Sequence, residues 1–191
     1  QVTGNYALPD NSKLKVNSGG DIVAASYLDL GNGNTGSMSV DGAGSTVTAL
    51  CSSEWGTGAS VVATVTLSNS AAASYENLRL GLSTGRADVQ LLSSSQLTTT
   101  SSLSVGPSSG TTTLAKITVA GGTLNNANTS LFRNGGQLVM SSGAVNFTGN
   151  GTFDAGSTFN MSGGFMTIAS GKTLSIAGGV VNKTGGNSAL S

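Results

Sequence analysis

Gly121-Gly122-Thr123-Leu124, Gly135-Gly136-Gln137-Leu138, Gly163-Gly164-Phe165-Met166 and Gly178-Gly179-Val180-Val181 are four versions of one phrase, a glycine doublet leading into an apolar residue. Their first glycines follow one another at intervals of 14, 28 and 15, so a beat of about seven runs beneath them. Leu124, Leu131, Leu138, Val145, Phe153, Phe159, Met166, Leu174 and Val181 mark it at steps of 6 to 8. Self-similarity at a fixed period is the signature of a repeat architecture.

A helical heptad has the same beat but fails on composition. Gly, Ser, Thr and Asn fill this region, and all of them weaken helices. The local pattern alternates with period two instead, as in Val145-Asn146-Phe147, Phe159-Asn160-Met161, Met166-Thr167-Ile168 and Leu174-Ser175-Ile176. That is a strand with one buried face. Between the strands stand Ser-Gly, Gly-Asn-Gly and Ala-Gly-Ser, which are turn chemistry. Each unit is therefore a short strand and a tight turn.

Three units make a lap of 21 or 22, and on that lap the columns align. Gly121, Gly143, Gly163 and Gly185 fall on one corner; Gly135, Gly156 and Gly178 on a second; Asn128, Gly149 and Gly171 on the third. Leu131, Phe153 and Leu174 are expected to stack on one inner face, and Leu124, Val145 and Met166 on another. The predicted fold is all-β: a parallel β-helix solenoid with three-sided coils, each strand pairing with its equivalent one lap away. Antiparallel hairpins are the competing arrangement. Eight or nine laps are expected.

Outside residues 121–186 the repeat is looser. Residues 1–30 are expected as an amino-terminal capping segment and 31–191 as the β-helix. Insertions are expected to leave the coil near 51–60, around Glu54-Trp55, and near 68–77, around Tyr75-Glu76.

Composition limits the function classes. Of 191 residues, 8% are charged and the formal net charge is zero. Leu, Ile, Val and Phe together number 43, enough for a core and above the disordered range. The eight basic residues are scattered, so no stripe for nucleic acid forms and no nucleic-acid partner is expected. No apolar run reaches the length of a membrane span. The chain has no His and one Cys, Cys51, read as a small buried residue. Without His, nucleophilic systems built on it and His metal sites are unavailable; no catalytic residue, metal or cofactor is expected, and the chain is read as a non-enzyme.

Two phrases, Ser-Met-Ser-Val-Asp-Gly-Ala-Gly-Ser-Thr-Val-Thr (37–48) and Gly-Lys-Thr-Leu-Ser-Ile-Ala-Gly-Gly (171–179), together with the glycine doublets, resemble the passenger regions of bacterial autotransporters and related surface adhesins. The resemblance implies a right-handed β-helix, export to the extracellular space or bacterial cell surface, and a role in adhesion, aggregation or coating. The leading expectation is a secreted or cell-surface structural or adhesive module that presents a surface, or self-assembles into a coat or fibre. Its expected partners are further copies, neighbouring coils of a longer chain, or a glycan.

Two alternatives follow from particular residues. Glu54 and Glu76 are one lap of 22 apart, and each adjoins an aromatic residue, Trp55 and Tyr75. Aromatic faces with acids beside them are the chemistry of a carbohydrate-binding patch, and less readily of a carbohydrate-cleaving pair; solvated acids with aromatics packed on the rod are the plainer reading. The triplets Thr64-Val65-Thr66, Thr98-Thr99-Thr100 and Thr111-Thr112-Thr113 raise an ice-binding solenoid, although their spacing does not fit a lap.

Overall fold

A computed structural model describes residues 6–8, 11–31, 33, 35–58, 60–108, 114–185 and 188–190. The described residues contain strands, turns and no helix, wound into a parallel β-solenoid of about seven turns. Three ladders form its sides. The first stacks Lys13–Asn17, Gly36–Asp41, Val62–Ser68, Arg86–Leu92, the first halves of Ala115–Asn126 and Gly136–Phe147, then Thr158–Met161 and Val180–Lys183. The second stacks Asp21–Ala24, the first halves of Thr46–Trp55, Ala72–Leu80 and Gln96–Val105, the second halves of Ala115–Asn126 and Gly136–Phe147, then Gly164–Ile168 and Ser188–Leu190. The third carries Leu28–Asp29, the second halves of Thr46–Trp55, Ala72–Leu80 and Gln96–Val105, then Thr129–Phe132, Asn150–Asp154 and Leu174–Ala177. Tyr6–Ala7 pairs with Leu28–Asp29 at the amino-terminal end.

The lap length is not uniform. Ala115 pairs with Gly136, Gln137 with Thr158, and Thr158 with Val180, which makes laps of 21, 21 and 22. Earlier, Lys13 pairs with Ser37, Ser37 with Thr64, Val62 with Arg86, and Ala87 with Ala115, laps of 24, 27, 24 and 28. The expected eight or nine laps are therefore too many. The extra residues fall in sequence mainly between a third-side strand and the next first-side strand: six separate Trp55 from Val62 and nine separate Val105 from Ala115, against three between Phe132 and Gly136 and three between Asp154 and Thr158. Eight strands deep, the first side is roughly 34 Å tall at the ~4.8 Å spacing of paired strands.

The interior is one continuous apolar cluster from Val16 to Met166. Leu124, Val145 and Met166 stack inside as the pattern requires. Leu131 does not. It faces outward opposite Ser104 and Thr152, while Phe132 takes the inner place. Both residues are apolar, so alternation alone could not choose between them, and one residue of slip exchanges the faces of a strand. Phe132 then stacks on Phe153 at 4.5 Å with the ring planes nearly parallel, and Phe153 on Phe159 at 5.7 Å.

Two glycine columns hold, one of them with a shift, whereas in the third Asn128 stands opposite Gly149 but Gly171 falls out of register in a longer corner. Gly135, Gly156 and Gly178 all have positive φ on one corner. On another, Gly121 and Gly143 are followed by Gly164 rather than Gly163. The expected insertions are corrected. Residues 68–77 do not leave the coil: they are a tight turn, closed by Ala71 N–H donating to Ser68 O at 3.1 Å, followed by the strand Ala72–Leu80. Of 51–60, residues 52–55 lie in the third ladder and only the corner beyond departs. Residues 13–29 form the first complete lap. Cys51, expected buried, is exposed beside Leu50 where the strand bends round a corner.

Candidate functional site

Glu54, Trp55, Tyr75 and Glu76 do not form a patch. In the register of the ladders Trp55 lies opposite Leu80, and Tyr75 opposite Ala49 and Thr99, all on the inner side. Both rings are fully buried, 5.1 Å apart and edge to face. The Trp55 indole N–H donates to Leu28 O at 3.1 Å. Burial drives the Tyr75 phenol far above its ordinary range, so it stays protonated. Neither ring can stack on a sugar. The carbohydrate reading thereby loses its aromatic faces at these positions.

The two acids are not stacked either. Glu54 stands opposite Arg79 on the next lap, and their side chains pair at 3.2 Å. Glu76 falls in the bend of its strand, where one residue rounds a corner that takes two in the neighbouring strands. Below Glu54, Asp29 accepts a hydrogen bond from the Glu54 backbone N–H at 2.8 Å. Partial burial raises the Asp29 pKa, that hydrogen bond lowers it in part, and the Glu54 charge adds to the rise. The threonines give no continuing ladder. Thr64 and Thr66 face out from the first side, but the next lap puts Asp88 and Gln90 there; Thr98 lies on the second side, and 111–113 fall outside the described residues.

What the third side does build is a groove. Arg79, Leu82, Ser102, Leu103, Ser104, Ser108, Leu131 and Arg133 enclose about 490 Å³ beside the variable corner, within the range of small-ligand clefts. Arg79, Ser104 and Leu131 form one outward row across three successive strands. Arg133 follows two positions after Leu131, immediately past the end of Thr129–Phe132. Its Cα and that of Arg79 are thus about 10 Å apart across the strands and about 7 Å along them.

Two guanidinium groups and no carboxylate line the groove. Arg79 reaches Glu54 through one nitrogen, leaving other N–H donors, and Arg133 has no ion pair among the described residues. Ser102 donates to Asn77 Oδ1 at 2.7 Å. The Ser104 hydroxyl is buried with no hydrogen-bond partner among the described residues. Leu82 and Leu131, each partly exposed, give the groove an apolar component.

A lap of 21 or 22 hides these residues. A signal for the longer lap is present: Gly31, Gly56, Gly81 and Gly106, evenly spaced at intervals of 25, all have positive φ and each closes a strand of the third side. That interval alone sets Glu54 beside Arg79. Among the described residues, no three acidic or Cys side chains gather as metal ligands, and no helix is long and apolar enough to cross a membrane. No protein-family model matches this chain, nor does any curated protein or solved structure.

Proposed function

We propose that the chain is a structural module of an exported bacterial surface protein, a rigid β-solenoid that holds its side faces out for contact and continues or stacks along its own axis. Its likeness to autotransporter passengers and adhesins belongs to this reading. The supporting observation is the asymmetry of the two ends. At the amino-terminal end, Leu8, Leu14 and Ile22 pack on the core and are partly covered, with charged Lys13, Lys15 and Asp21 around them. At the other end, Ile176 is 44% exposed, Val180 52% and Val181 36%. Ile176 and Val181 continue the inner columns below Phe153 and Phe159, so this is an opened interior. An open apolar end with free strand edges is a template for one more coil.

Negative-stain electron microscopy over a concentration series tests it. Rods that join end to end, and that fall apart as Ile176→Lys/Val181→Lys, support the module reading. Single particles of one lap-stack length at every concentration, indifferent to those substitutions, overturn the axial part of it.

A further inference from the structure

We propose that the groove between Arg79 and Arg133 binds a saccharide carrying carboxylate or sulfate groups. The proposal stands on this groove alone: a chain that never assembled end to end would still bind there.

The protein is neutral overall, yet two of its eight basic residues line one concavity from which carboxylates are absent. Guanidinium groups supply paired N–H donors in a planar fork that suits carboxylate and sulfate oxygens. Glu54 holds Arg79 from the side without neutralising Arg133. The remaining lining is Ser102, Ser104 and Ser108 with Leu82 and Leu131, hydroxyls for a polyhydroxylated ring and a small apolar surface for its carbon face.

Other anionic partners fit less well. A nucleic acid needs an extended basic stripe or base-stacking aromatics, and the lining contains no aromatic residue. An acidic peptide docking as a strand needs an open edge. Across the groove the strands Ala72–Leu80, Gln96–Val105 and Thr129–Phe132 already pair with one another. Recognition here must come through side chains, and those present are guanidinium, hydroxyl and short apolar groups. The Cα atoms of the two arginines stand far enough apart for their side chains to engage separate acidic groups of one saccharide chain.

The test is titration of the folded chain with four probes: an oligogalacturonate, a sulfated oligosaccharide, a neutral dextran oligosaccharide and polyglutamate. Binding of at least one acidic saccharide is expected, with no response to dextran and a weaker one to polyglutamate. Arg133→Gln, which disturbs no ion pair, should weaken that binding by about tenfold, as should Arg79→Gln. Glu54→Gln, which releases Arg79, should strengthen it. Circular dichroism and melting of each variant separate lost binding from lost fold, and both arginines lie on the outside of the coil. Absence of binding to both acidic saccharides, equal binding to polyglutamate, or binding untouched by either arginine substitution overturns the assignment.

Discussion

Asp29 shows how one side chain in this fold sets a pH dependence. It lies half-buried beneath Glu54, and burial, more than the neighbouring charge, raises its pKa. A carboxyl whose native pKa is raised binds its proton more tightly folded than unfolded. Its contribution is fully present below the ordinary carboxyl range, near ~3.9, and is lost as pH rises through the raised native value. Asp41 has the opposite sign. Ser68 Oγ and Asn69 Nδ2 donate to its carboxylate at 2.6 and 2.8 Å, which lowers its pKa. Its contribution is present above the ordinary range and lost as pH falls through the lowered value. Asp29→Asn keeps an oxygen for the Glu54 N–H and removes the charge. Its melting temperature should exceed the parent's at pH 7 and converge with it near pH 3, measured by differential scanning calorimetry; a lower value at pH 7 would contradict burial as the dominant cause.

At the scale of the element, the corners decide which residues are interchangeable. Gly143 has φ +87°, and a Cβ there would stand 2.1 Å from Gly122 O of the lap before. Gly171 has φ +73°, and a Cβ there would meet nothing within 4 Å. Both substitutions meet the left-handed penalty of about 1–2 kcal/mol, but only the first drives a methyl into backbone. Gly171→Ala should cost about that amount and Gly143→Ala at least about 3 kcal/mol, read from urea unfolding of the two variants side by side. The same corners explain what is legible in the chain. Where they are two or three residues long, from 133 to 163, the beat survives and the glycine columns are visible. Where six residues separate Trp55 from Val62, or nine separate Val105 from Ala115, the beat is broken, and a lap of 25 in one column becomes 27 or 28 in the next. A broken beat imitates an insertion, so Trp55 and Tyr75 read as loop residues although their strands run through them. Leu131 reads as an inner residue because Phe132 beside it is equally apolar. The groove arises from both differences, since Arg79 acquires its partner from the longer lap and Leu131 its exposure from the slipped parity.

Across the whole molecule, stability is a chain of nearest-neighbour terms, each lap held by the one above and the one below. Interior strands such as Val62–Ser68 and Arg86–Leu92 are paired on both edges and their inner residues are fully buried. Val180–Lys183 is paired on one edge only, and all four of its residues are exposed. Leu174–Ala177 is likewise paired with one strand, its inner Ile176 open to water. An end lap that loses half its ladder and most of its burial opens at lower free energy than the centre. Hydrogen exchange should therefore grade along the axis, with amides of 174–183 exchanging at least about tenfold faster than those of 62–92, a difference of ~1.4 kcal/mol in opening free energy. A flat profile would mean that the laps unfold as one unit and that the exposed carboxy-terminal interior costs nothing. If the open end accepts another coil, the gradient gains a second property: raising protein concentration should slow exchange in 174–183 while leaving the centre unchanged, because only the end lap acquires a new neighbour.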